Sequence, residues 1–458
     1  MKIPFPLLFD TGSGSFRAKS FMNICPVENR KIRITRSHTE TFVALRVDLG
    51  SSDPMKLASC RKTYSRETHR AVAPEVTLAN FEPKVPATGI TRVADITNLD
   101  RIGIPVFSCI RPTAADGAIS IYNGKGATPT EARVSAIMEG LERYSAELLD
   151  REIEMASYSQ IRKVENALNP AELILPQETS SDMYIPWVKA WDLVKDEEIY
   201  VPAHAVFHPF PRGYLPPFRT NTNGLASGNT LEEAIFHALA EIIERDAWSL
   251  VEATRNTGPR ITDVNDPVAC ELLEHFSDAG VEVGLKNITS DLGIPTIAAV
   301  SDDVKLKDPT LLTIGMGTHT SARIALLRAL TEVAQSRLTQ IHGAREDTTT
   351  ADLRKRMGYD RTKRMNRYWF DAKNDVPFGG IPSFDSDDFL TDIRFAMDRI
   401  TRAGMTKVIV YDLTRPELDV PVVRVIVPGL EMFAMDADRM GARCRIARDN
   451  GGFSRPKP

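Results

Sequence analysis

Residues 131–143 read EARVSAIMEGLER, and the pattern returns at 233–245 as EAIFHALAEIIER and at 324–336 as IALLRALTEVAQS, three segments that align without a gap. Each follows a strand-like run and a glycine-containing turn, NGKGATPT, NGLASGNT and GMGTHTS respectively. The middle of the chain therefore reads as three copies of one strand–turn–helix unit, the third having drifted furthest. In the first helix Ser135, Glu139 and Glu142 are spaced i, i+4, i+7 and share one stripe, with Arg143 beside Glu139. The second helix repeats the stripe as Glu233, His237, Glu241 and Glu244, followed by Arg245, and the third offers Arg328, Glu332 and Gln335. Other faces carry Ala132, Ile137 and Leu141, or Ile235, Leu239 and Ile242, so these helices pack on one side while presenting acids on another.

A single glutamate on a helix is ordinary, because Glu favours helices and usually faces water. The repeated Glu-x-x-Glu-Arg stands out because its helices are otherwise small and apolar: from Ala234 to Ile243 only His237 and Glu241 interrupt. Acids in that setting are expected to be buried and paired with cations. Converging glutamates with nearby arginines suit a nucleotide and magnesium, since Mg²⁺ bridges carboxylates to phosphate oxygens while guanidinium forks grip the phosphates. The Walker spacing G-x-x-x-x-G-K-[ST] is absent, and so is the protein-kinase signature set. Pattern alone stops at a duplicated carboxylate-rich metal or nucleotide site.

Composition sets the frame. With 458 residues and 42% hydrophobic content the chain can bury a large core without disulfides or metal staples. Its 57 basic residues nearly balance 61 acidic ones, which gives no reason to expect a nucleic-acid or membrane-surface partner. Five scattered cysteines form no Cys-x-x-Cys pair, so free thiols in a reducing cytoplasm are expected. The opening MKIPFPLLFD is too broken by Pro and Asp for a secretory signal, and no run approaches the roughly 20 apolar residues of a membrane helix.

Residues 1–75 are polar and weakly patterned apart from the alternating TFVALRVDLG, and are expected to be an N-terminal extension, partly disordered. Residues 76–440 form the expected domain, its compact texture starting near Gly89, and 441–458 a C-terminal tail. DDFLTDIRFAMDRITRAG predicts a helix with a Gly cap, and TKVIVYDL and VPVVRVIVPG predict buried strands. ADLRKRMGYDRTKRMNRYWFDAK is basic and aromatic and reads as a solvated helix or lid, with a peptide-docking surface as the second reading. The expected class is α+β, a mixed sheet flanked by helices. His204 and His208 sit among prolines, which makes a loop rather than a metal-holding helix the expectation.

At SAIMEGLER and EEAIFHALAEIIERD the sequence resembles the YcaO family, whose ATP sites carry Ser-x-x-x-Glu-x-x-Glu-Arg and a later helix ending Glu-x-x-Glu-Arg-Asp. The resemblance runs from about Gly89 to Gly429 and implies a YcaO-like fold around an ATP and Mg²⁺ site. By position it implies that Glu139, Glu142, Glu241 and Glu244 hold the metal, and that Arg92, Ser135, Arg143, Glu233, Arg245 and Gln335 contact ATP. No catalytic residue is singled out. Family members use ATP to activate a peptide amide after a nucleophile has added to its carbonyl. VPVVRVIVPGLE resembles the archaeal subgroup that acts with or without TfuA, for which the implied reaction is sulfide-dependent thioamidation of a glycine in the methyl-coenzyme M reductase alpha subunit. The ending Arg-Pro-Lys-Pro departs from the Pro-x-Pro-x-Pro tail of azoline formers. The alternatives are an azoline-forming cyclodehydratase and a non-catalytic accessory factor; a homodimer is compatible with the sequence but has no signature in it.

Overall fold

The structure, a computed structural model, describes residues 55–346, 350–371 and 374–452. Three strand–helix units dominate it, as the repeat predicts. Strand β1 (Ile121–Lys125) leads into helix α1 (Pro129–Ser145), β2 (Leu225–Ser227) into α2 (Leu231–Thr254), and β3 (Thr313–Thr318) into α3 (Ala322–His342). Thr128, Thr230 and Ser321 are the three N-caps; the Thr128 and Thr230 hydroxyls accept from the backbone N–H groups of Glu131 and Glu233, three residues on. Starting each helix at the same point of the repeat fixes the phase of the acidic stripe.

Each unit belongs to a different sheet. β1 is an edge of a three-stranded antiparallel sheet with Val106–Ile110 and Arg92–Asp95. β2 ends a six-stranded sheet and pairs with Val422–Ile426, which pairs in turn with Ile409–Asp412, so both C-terminal strands predicted from apolar runs are present and adjacent. β3 ends a five-stranded sheet, all antiparallel except the short pair of Asp375–Pro377 with Arg260–Thr262. The units close into a ring: α1 touches β2, α2 touches β3, and α3 touches β1.

Glycine makes the strand-to-helix approach close enough. A Cβ on Gly124 of β1 would collide with the backbone of Ala132 and Ala136, and one on Gly317 of β3 with that of Ala325 and Ala329. These are equivalent positions in the first and third units, so the same backbone contact is built twice. Beyond the contacts, Ile137 and Leu141 of α1 pack with Val188, Ile199 and Val201 of the six-stranded sheet. Ile235, Leu239 and Ile242 of α2 pack against the helix Phe389–Arg402, through Phe389, Ile393 and Ile400, and against Val423 and Val425.

Two boundaries differ from the sequence expectation, and one reading cannot be compared. The TFVALRVDLG strand, with all of residues 1–54, lies outside the described residues. Residues 55–75 do not belong to a loose extension: Met55, Leu57 and Cys60 pack on the α2 core, and a buried Lys62–Asp392 ion pair ties the segment to the helix Phe389–Arg402. At the other end, Ala442–Asp449 is a helix rather than tail, because Cys444 and Ala447 bury against Leu250 of α2. The basic aromatic segment is helical and largely exposed, as a solvated helix is, but Arg354, Thr362, Asn366 and Trp369 are buried and anchor it. It forms short helices whose Tyr368 and Trp369 donate to the buried Glu252 carboxylate, at 2.7 and 3.1 Å. His204 and His208 lie outside any long helix, as expected. Among the described residues no helix is long and apolar enough to cross a membrane.

Gly317→Ala is expected to lower unfolding free energy by about 2 kcal/mol or more, because backbone atoms cannot step aside as side-chain tips do. Gly284→Ala, where a Cβ meets nothing within 4 Å, is the control and stays near wild type in the same urea titration. Equal midpoints for the two variants would refute the close-approach argument.

Candidate functional site

The ring of units encloses a cleft of about 280 Å³, and all three helices turn their polar stripes into it. From α1 come Ser135, Glu139, Glu142 and Arg143. From α2 come Glu233, His237, Glu241, Glu244 and Arg245. The third wall is α3, with Arg328, Glu332 and Gln335. Residues more than a hundred apart in sequence thus converge because the same helical phase recurs in each unit.

The charges are paired across helical turns. Arg143 donates to Glu139 at 3.2 Å, and Arg245 to Glu241 at 2.8 Å with Glu244 at 3.6 Å. Glu142 accepts from the Ser227 backbone N–H at 3.0 Å. Desolvation by the surrounding protein, reinforced by the charges of Glu139 and Glu241, pushes the Glu142 carboxyl up to about 8 despite Arg143 beside it. Burial also opposes the Arg143 charge, but Glu139, Glu142 and Glu241 outweigh it and hold the guanidinium protonated.

These residues fit a magnesium–triphosphate. Among the described residues Arg143 Nε, Arg245 Nε and Arg328 Nε are buried donors with no hydrogen-bond partner, on side chains that line a cleft where phosphate oxygens could take up guanidinium donors. The acids are hard oxygen donors of the kind Mg²⁺ takes, and an extra cation is what the elevated Glu142 carboxyl lacks. Among the described residues no three acids, histidines or cysteines converge as a self-sufficient metal set. That matches the habit of Mg²⁺, which draws one or two protein carboxylates and completes its octahedron with phosphate oxygens and water.

Nine of the ten residues expected at the site line the cleft; Arg92 does not. It opens the exposed edge strand Arg92–Asp95, opposite Ile110, and points to no part of the cleft. Glu233 lines the wall with its oxygens already engaged by the Ala71 N–H at 3.0 Å and by Asn229 Nδ2 at 3.0 and 3.2 Å. Gln335 donates to the Asn123 carbonyl. Two cations escaped the sequence reading. Lys125, the last residue of β1, pairs with Glu332 across the cleft, and Arg70 reaches in from residues 55–75 to contact His237 and lie 3.8 Å from Glu233. Lys125 carried a usable signal in its place within the repeated turn; Arg70 carried none. His237 is half-buried on the cleft wall, and desolvation, followed by Arg70 and Arg328, holds it neutral.

Residues 123–431 match the family model described as YcaO cyclodehydratase, ATP- and Mg²⁺-binding. The chain belongs to the YcaO family. An uncharacterised protein of Methanothermobacter thermautotrophicus is 51% identical over 383 residues, covering 82% of this YcaO chain and 98% of its own length. A protein of Rhizobium leguminosarum bv. trifolii, described as lying in the tfuA 3′ region, is 34% identical over 381 residues, with 79% of this chain and 89% of that one covered. The structure of YcaO from Methanopyrus kandleri bound with AMPPCP and Mg²⁺ superposes with a TM-score of 0.70 at 31% identity, covering 84% and 98% of the two chains. The mixed α/β architecture around the cleft is therefore the YcaO fold, and ATP with Mg²⁺ is the family's ligand pair.

A cation needs Glu142 deprotonated, so affinity for Mg²⁺–AMPPCP should rise with pH, by up to about ten-fold per unit below the Glu142 value of about 8, and level off above it. Titration calorimetry of Glu142→Gln should give weaker binding without that slope; a variant that keeps the slope would assign it elsewhere. In the same assay Arg70→Ala should weaken binding by about ten-fold or more, the usual worth of a charge-assisted contact, while Arg92→Ala stays within about two-fold of wild type.

Proposed function

We propose that this YcaO protein uses ATP and Mg²⁺ to activate a backbone amide, and that its reaction is thioamidation of a glycine in the methyl-coenzyme M reductase alpha subunit with sulfide. The observation that carries the first part is the convergence of Glu139, Glu142, Glu241 and Glu244 with unpartnered arginine donors in one cleft. The narrower part is supported by the archaeal relative at 51% identity and by the Rhizobium relative of the tfuA 3′ region, which also makes TfuA the partner to test.

Glu139, Glu142, Glu241 and Glu244 are the metal's carboxylate set in this reading, one or two of them in direct contact and the others facing it through water, and Ser135, Arg143, Glu233, Arg245 and Gln335 shape the nucleotide pocket. Bound together, ATP and Mg²⁺ supply a phosphoryl group for the amide oxygen, so that oxygen leaves as phosphate, sulfide sulfur takes its place on carbon, and no electrons are gained or lost. The arginines contribute fixed positive charge where phosphate oxygens gather charge. Their pairing with Glu139 and Glu241 orients the guanidiniums before the nucleotide arrives.

A second reading, azoline formation, draws support from the family description as cyclodehydratase. Mass spectrometry separates the two. With ATP, Mg²⁺, sulfide and a reductase alpha-subunit peptide, the expected product is heavier by the difference between sulfur and oxygen, and Glu139→Ala or Glu241→Ala abolishes it. Loss of one water from a Cys- or Ser-containing peptide would replace thioamidation with azoline formation. If added TfuA leaves the rate unchanged, its assignment as partner fails.

A further inference from the structure

Behind the cleft, across α2, lies a second cavity of about 60 Å³. The two are close neighbours: Glu241 lines the cleft and Ile242 the cavity, and Thr222 and Leu225 face the first while Asn221 and Asn223 face the second. Its polar groups are left unsatisfied. His204, 1% exposed and stacked 4.0 Å from the Phe210 ring, has no partner for either ring nitrogen among the described residues. Arg439, 2% exposed, lies over Phe218 and donates from Nε and Nη2 to the Ile174 and Leu173 carbonyls, leaving Nη1 without a partner. Asn223 Oδ1 is equally unpartnered.

Charge in the cavity is one-sided. Arg424, 2% exposed, is fixed by the carbonyls of Val206, Asn221 and Asn223, and neither it nor Arg439 has a carboxylate within ion-pair distance among the described residues. Burial lowers both guanidiniums to about 10, which leaves them charged at neutral pH. The one acid on the wall, Glu172, is taken by Lys407 at 2.7 Å. The Glu241 and Glu142 carboxylates act on Arg424, and that of Asp436 on Arg439, only from beyond ion-pair distance, so both buried guanidiniums are incompletely compensated, a cost that a bound anion relieves.

We propose that this cavity binds one small, weakly hydrated monovalent anion, and that its occupant is hydrosulfide, the sulfur nucleophile of the reaction proposed above, on which this assignment of the occupant rests. The volume accommodates a few water-sized particles. Ile242, Val425 and Leu430 supply apolar wall, which disfavours a strongly hydrated oxyanion. Hydrosulfide presents a negative sulfur and a single hydrogen. Arg439 Nη1 and the N–H of the neutral His204 can donate to the sulfur, and Asn223 Oδ1 can accept the hydrogen. Chloride of similar size offers nothing to those acceptors. The anion would thus be held one helix wall away from the carboxylate cleft.

The test is equilibrium dialysis of labelled sodium hydrosulfide against the full-length protein, without oxygen, ATP or peptide. Wild type is expected to bind one equivalent, with chloride a weaker competitor. Arg439→Gln and His204→Phe should each weaken binding by ten-fold or more while retaining AMPPCP affinity, which certifies that the variants fold. Absence of binding by wild type, or binding unchanged in both variants, overturns the site. Chloride competing as well as hydrosulfide overturns the occupant. In the peptide assay the variants should raise KM for sulfide and leave KM for ATP unchanged. Thioamide formation with an unchanged sulfide KM overturns the site while the proposed reaction stands; variant-sensitive hydrosulfide binding without any thioamide product overturns the reaction while the anion site stands.

Discussion

Glu139, Glu142, Glu241 and Glu244 share one desolvated cleft, where like charges repel more strongly than in water and each needs a positive charge close by. Arg143 and Arg245, one helical turn from Glu139 and Glu241, meet most of that need at fixed geometry. Glu142 is the remainder: with only Ser227 as hydrogen-bond donor and two carboxylates nearby, it holds a proton near neutrality unless a cation replaces it. Much of the surrounding architecture serves to hold these side chains where they would not settle alone. The caps at Thr128 and Thr230 set helical phase, and residues 55–75 seal one flank through Ala71 and Arg70.

The framework tolerates that concentration of charge because the load is spread over three sheets. Each acidic or polar stripe stands on a helix that also packs apolar side chains, as with Leu141 in the six-stranded sheet's core and Leu239 against the helix Phe389–Arg402. Desolvation penalties at the site are thus offset by side-chain packing a few ångströms away on the same helix. The glycines of β1 and β3 bring backbone against backbone, which leaves little play in where a stripe points.

Much of this was legible in the sequence because it is written in a local code. Helical period, cap residues and the glycine turns all fall within about 20 residues, so the acids of α1 and α2 and their arginines could be read as one face. What was not legible depends on chain path. Arg70 lies in a stretch without periodicity and reaches the cleft only because the chain runs across α2, anchored by Lys62 and Asp392. Arg92, conversely, is near the repeat in sequence yet does not line the cleft, since it stands exposed at the start of an edge strand. The basic run at 351–373 looked solvated because its charges dominate the composition; Trp369, fully buried, decides its packing. The counter-charge of Glu332 was likewise a matter of tertiary geometry, since Lys125 comes from another unit.

The drift of the third helix has a consequence of its own. Glu139, Glu241 and Glu332 hold the same position of the repeat, but Glu142 and Glu244 are answered by Gln335, and Ser135 and His237 by Arg328. Three identical walls would have left an elongated ligand several equivalent ways to lie. Replacing acid by amide and adding a guanidinium on α3, with Lys125 opposite, removes that degeneracy and gives the enclosure a head and a tail. A guest that is anionic at one end and aromatic at the other then has a single orientation of lowest energy, set by broken symmetry rather than by any one contact.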